Sequence, residues 1–91
     1  MIASVRERFL PRFLESARAR MNRARAMLDA GNELSAFGSE MHALAGEAAI
    51  LEFTTVAKLA REGEAGARRS DRDACREALS ALGPAVESLV P

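Results

Sequence analysis

The sequence has no tryptophan and no tyrosine. Its four phenylalanines stand at positions that read as core, so it offers no aromatic platform for stacking single-stranded nucleic acid. A single cysteine, Cys75, excludes an intrachain disulfide and fits a reducing compartment, where it reads as a small buried hydrophobe. One histidine, His42, with no paired cysteines argues against zinc. Apolar residues never run far enough to span a bilayer, and the N-terminus lacks the unbroken apolar stretch of a secretion signal. Charge of one sign is not in excess either. Thirteen basic and thirteen acidic residues cancel, which gives no reason to expect nucleic acid or an anionic membrane as partner. These absences together predict a soluble cytoplasmic chain with no metal and no cofactor of its own.

What is present is enough for one domain spanning residues 1–91, with 48% hydrophobic residues to build a single core. Leu10, Phe13, Leu14, Ala17, Met21, Ala24 and Leu28 follow helical spacing, from near Pro11 to Gly31. Residues 2–9 read as a short extra helix ahead of Pro11, which suits a first helical turn. Asn32 offers an N-cap for a second helix, and so tight a turn requires antiparallel neighbours. Phe53, Val56, Leu59, Ala60, Gly63 and Ala67 mark a third helix, with Thr54 or Thr55 available as its cap. Ser70 and Asp73 resemble a capping box for a fourth, carried by Cys75, Ala78, Leu79, Leu82, Val86 and Leu89 and kinked or split by Pro84 near Gly83. The expected fold is all-α: an antiparallel up-and-down four-helix bundle with a short extra N-terminal helix. Seven arginines in the first 25 residues, against two glutamates, predict a basic solvated face.

The second helix carries the chemistry. Leu34, Phe37, Met41, Leu44, Ala48 and Leu51 form its core stripe. His42 stands beside that stripe, and Gly38, Ser39, Ala45, Gly46 and Ala49 all lie within about 60° of it around the axis. Glycine inside a helix costs about 1 kcal/mol relative to alanine. Two glycines flanking one titratable ring therefore predict that something approaches the ring closely. The glycines also admit a plainer use, close packing of helices, but their arc centres on His42.

The run His42-Ala43-Leu44-Ala45-Gly46, followed by Ala48-Ala49 and then Phe53, Val56, Leu59 and Glu64, resembles the histidine-containing phosphotransfer (HPt) domains of bacterial phosphorelays. The likeness extends from Phe9-Leu10-Pro11-Arg12-Phe13-Leu14 to Leu89. The resemblance implies that His42 accepts a phosphoryl group and exchanges it with the aspartate of a response-regulator receiver domain, or takes it from a histidine kinase. It implies a carrier without independent catalytic turnover, and a monomer. Glu64 matches the Glu or Gln with which the family orients the imidazole, and Gly46 matches the motif glycine. Gly38, Ala45 and Ala49 widen the clearing around the ring. Magnesium is expected in the partner receiver and not in this chain.

Two positions depart from the family pattern. Ala45 replaces the usual lysine three residues after the histidine, leaving Arg68 or Arg61, one turn either side of Glu64, to supply positive charge; Lys58 is less well spaced. Glu52 stands where a glycine is usual at the turn into the third helix, and with Glu47 it adds negative charge near the site. These departures define the alternative: a degenerate HPt-like module that docks on a receiver or kinase without being phosphorylated. A helical module that only self-assembles is a third possibility.

Overall fold

The computed structural model describes residues 5–31 and 33–91. Among them the regular structure is entirely helical: α1 (Val5–Asp29), α2 (Leu34–Ile50), α3 (Thr54–Arg68) and α4 (Arg72–Glu87). The molecule is elongated, 48 × 19 × 18 Å. Each helix packs on its chain neighbour, and α1 closes the ring against α4. The contacts between neighbours pair rising with falling residue numbers. Ser16, Arg20 and Arg23 of α1 meet Glu47 and Glu40 of α2, and Gly63 and Gly66 of α3 meet Ala78 and Ala74 of α4.

The apolar stripes converge on one core. Phe13, Ala17, Met21, Ala24 and Leu28 of α1 join Phe37, Met41, Leu44 and Ala48 of α2, Val56 and Ala60 of α3, and Cys75, Leu79, Leu82 and Val86 of α4. Each large side chain so buried contributes about 1.5–3 kcal/mol. Phe53, in the turn before α3, stacks tilted on Phe13 with ring centroids 5.0 Å apart. Phe9 departs from the core expectation: it is 44% exposed.

The N-terminal expectation needs correction. Residues 5–9 belong to α1, which runs unbroken through Pro11; residues 2–4 lie outside the described residues. Proline inside a helix removes one i→i−4 bond, but here the turns preceding it are held from a distance. Arg6 donates from Nε to the Leu51 carbonyl at 3.1 Å and from Nη2 to the Glu52 carbonyl at 3.2 Å, with its guanidinium 5.5 Å from the centre of the Phe53 ring. Pro84 likewise lies inside an unsplit α4, on a helix anchored beyond it by Val86 in the core.

The caps also differ from expectation. Asn32 lies outside the described residues, and Glu33 occupies the N-cap of α2 without a side-chain bond. Neither Thr54 nor Thr55 caps α3; Phe53 holds that position and packs in the core instead. Asp71 caps α4 by accepting from the Ala74 N–H at 3.0 Å, so the Ser70–Asp73 capping box does not form. Ser70 has a different task. Helices α2 and α3 both end in a Schellman turn, with Phe53 N–H bonded to Ala48 O and Asp71 N–H to Gly66 O, which requires a left-handed residue just past the helix. Glu52 (φ 61°) and Ser70 (φ 56°) fill those positions.

The arginine excess of α1 is largely answered by acids on the neighbouring helices. Arg18 pairs with Glu87 at 2.7 Å, Arg20 bridges Glu40 and Glu47, and Arg23 pairs with Glu40. The Arg23 guanidinium, aided by Arg20, holds the Glu40 carboxyl below the usual carboxylate range.

Candidate functional site

The contact between α2 and α3 sets the site. Gly63 has no side chain to hold Met41 away: a Cβ there would fall 3.1 Å from the Met41 Cγ and Sδ atoms. With residues 41 and 63 in contact, the next residue on each helix, His42 and Glu64, face one another at the rim of the core. His42 Nδ1 lies 2.8 Å from Glu64 Oε2 across a 22-residue separation. The same oxygen accepts from Arg68 Nη2 at 2.9 Å, one turn further along α3. The imidazole is 76% exposed and the Glu64 side chain only 16%.

These hydrogen bonds decide where the ring proton sits. An ionised carboxylate only accepts, and Glu64 already accepts from a guanidinium, so Nδ1 must be the donor. Nε2 then keeps its lone pair and has no protein partner among the described residues. Such a ring is a nucleophile whose far nitrogen is backed by negative charge, able to stabilise the cationic ring formed when Nε2 acquires an electrophile.

The small residues around His42 fall into three groups that the sequence did not separate. Gly46 is exposed, and a Cβ added there meets nothing within 4 Å. Ala49 is exposed as well. Gly38 serves the helix contact, since its Cβ would lie 3.2 Å from the Ala67 Cβ. Ala45, expected in the clearing, is only 4% exposed and packs in the core. The reason is angular: three residues from His42 is a 60° rotation toward the Leu44 and Ala48 side of α2.

Of the two arginines considered for the missing lysine, Arg68 joins the His42–Glu64 pair. Arg61 is exposed and makes no hydrogen bond or ion pair with either residue. Lys58 is exposed, two turns from Glu64 on α3. Glu47 does not carry free negative charge to the site: Arg20 Nε donates to it at 2.7 Å and Ser16 Oγ at 3.0 Å. Glu52 enters the fold through its backbone, and its side chain is exposed. No three His, Cys, Asp or Glu side chains converge as metal ligands among the described residues, nor is any described helix long and apolar enough to cross a membrane.

Two features escaped the sequence reading. An open cleft runs from His42 and Glu64 toward the α3–α4 turn, lined also by Ser35, Ser70 and Arg72. Arg72 reaches the Leu28 carbonyl at 3.4 Å, which brings the start of α4 against the end of α1. In the other direction α2 carries Ile50, 79% exposed and two turns beyond His42, beside an apolar groove formed with Val5, Phe9 and Leu51. Its signal was available, since Ile50 falls outside the α2 core stripe.

Compared with known proteins, the chain matches the family model described as Hpt domain over residues 8–90. No curated protein and no solved structure matches it.

Proposed function

Because the chain belongs to the Hpt domain family, the histidine phosphotransfer modules of phosphorelays, we propose that His42 is its phosphoacceptor and that its partner is the phosphorylated aspartate of a receiver domain. The observation that carries this reading is the exposed ring, with Nδ1 engaged by Glu64 and Nε2 open to solvent. In the forward step the Nε2 lone pair attacks phosphorus, the N–P bond forms, and the P–O bond to the aspartate breaks and returns a carboxylate. The ring keeps its Nδ1 proton and becomes cationic. Glu64, 2.8 Å away, stabilises that charge. The carrier turns nothing over by itself.

Phosphoryl transfer depends on positioning and on neutralising charge at the equatorial oxygens. The one carboxylate beside His42 is already engaged by Nδ1 and Arg68, so magnesium fits the receiver's side of the encounter. Arg68, hydrogen-bonded to the same carboxylate oxygen as His42, is the cation we assign to the missing lysine's place; Arg61 contributes only diffuse charge. We read the partner's footprint as Gly46 and Ala49 on the ridge beside His42, continuing to the apolar groove at Ile50, Phe9 and Val5. Gly38 and Ala45 act beneath that surface, through packing.

The finer reading of the fold is an antiparallel up-and-down bundle, supported by the reversed order of the contacts along each helix pair: Ser16 and Arg23 with Glu47 and Glu40, Gly38 and Met41 with Ala67 and Gly63, Gly63 and Gly66 with Ala78 and Ala74. We place the chain in the cytoplasm as a monomer, in keeping with its unpaired, buried Cys75.

The test is transfer from radiolabelled, phosphorylated receiver domains. Acid-labile label should appear on the wild type and vanish in His42→Ala. A wild type that takes no label from any receiver of its source, yet binds one equally well with and without His42, would replace this reading with docking alone.

A further inference from the structure

We propose that Arg68 is a positioning residue: by pinning one oxygen of Glu64 it fixes the ring proton of His42 on Nδ1 and so keeps the solvent-facing nitrogen nucleophilic. The inference rests on the reading of His42 as phosphoacceptor, but its test does not require phosphoryl transfer.

The geometry points this way because Glu64 Oε2 takes two charge-assisted hydrogen bonds at once, 2.8 Å from His42 Nδ1 and 2.9 Å from Arg68 Nη2. A glutamate side chain has three rotatable bonds and two equivalent oxygens. One exposed imidazole is a weak restraint on it, since ring and carboxylate can turn together. The second bond comes from the same helix, four residues on, with Glu on the N-terminal side of the cation, the favoured order for such a pair. That bond ties the carboxylate to the α3 backbone independently of His42. Burial adds to the effect: the Glu64 side chain is only 16% exposed, so its carboxylate has little room to turn away from these two partners.

The proton position matters because an imidazole in water prefers its hydrogen on Nε2. The site must invert that preference. If the carboxylate wanders, the ring reverts, and the nitrogen facing the partner becomes an N–H with no lone pair. Arg68 thus acts on His42 without touching it. Among the described residues no other cation makes a hydrogen bond or ion pair with Glu64.

The chain has one histidine, so a long-range ¹⁵N–¹H correlation spectrum of the 91-residue chain reports a single ring without assignment. Recorded at alkaline pH, where the ring is neutral, the wild type should show Nδ1 protonated and Nε2 bare. In Arg68→Met the ratio of the two tautomers should fall roughly threefold, between the effects of a surface helix pair and of a full charged hydrogen bond. Glu64→Ala should fall further, and Arg68→Lys should recover most of the wild-type ratio. Unchanged circular dichroism and melting in Arg68→Met would show the fold intact. A wild-type tautomer ratio in Arg68→Met overturns the proposal, whether or not Glu64→Ala shifts it. Failure of the wild type to accept phosphoryl groups from a receiver refutes the reading of His42 instead, and leaves the tautomer result standing.

Discussion

Replacing Gly46 by alanine should make this protein more stable and a worse phosphocarrier. Gly46 lies inside α2 with no positive φ, and a Cβ built on it meets nothing within 4 Å. Glycine at such a helical position is destabilising by roughly 0.5–1 kcal/mol relative to alanine. With nothing to clash, the substitution should recover that amount and raise the melting temperature by about 3–6 °C for a domain of this size. The new methyl stands one turn from His42, about 5–6 Å between Cβ atoms, on the surface we assign to a docking receiver. An added methyl in a close-packed contact costs about 1–3 kcal/mol, and 1.4 kcal/mol is a factor of ten. Transfer from a phosphorylated receiver, followed as its second-order rate constant, should therefore fall about tenfold, and Gly46→Leu should fall further. The assays are a thermal melt and a transfer time course on the same preparation. Greater stability with undiminished transfer would refute the claim that Gly46 clears space for a partner; lower stability would refute the open geometry itself.

Gly66→Ala should do the opposite to stability: its Cβ would lie 3.0 Å from the Ala74 Cβ and 3.4 Å from the Cys75 nitrogen, so a loss of about 1–3 kcal/mol is expected in urea unfolding. Glu52→Gly should stabilise by about 1 kcal/mol, because Glu52 holds φ 61° and its carbonyl, which accepts from Arg6, survives the change; the urea midpoint should rise with an unchanged slope. Glu40 should contribute to acid sensitivity. Hydrogen bonds from Arg23 and Arg20 lower its folded pKa below 4.5, so its stabilisation is fully present above pH 4.5 and lost as pH falls through the lowered value. Glu40→Gln should cost roughly 1 kcal/mol at pH 7, and that gap should close in denaturation curves taken below pH 4.5.

Periodicity reached the helices and their buried faces, because Phe37, Met41, Leu44 and Ala48 repeat at a spacing that leaves few alternatives. It failed where a local rule was overruled from far away. Pro11 reads as a helix start, yet Arg6 binds carbonyls more than forty residues distant and holds the preceding turns. Gly38 and Gly46 look alike in sequence; what separates them is Ala67, on another helix, close to one and absent from the other. Glu47 looks like a liability beside His42 until Arg20 and Ser16 arrive from α1. The neighbourhood of Glu64 and His42 came from the family resemblance, since nothing local to either residue links positions 22 apart. Ala45 was misplaced because an arc drawn around one helix does not say where the next helix begins.

Gly38, Gly63 and Gly66 let α3 lie close to both of its neighbours, with Cβ clearances of 3.0–3.3 Å. The Glu64 carboxylate, mounted on so tightly wedged a support, needs no help from a visiting protein to find its place. The costly ordering was completed when the chain folded.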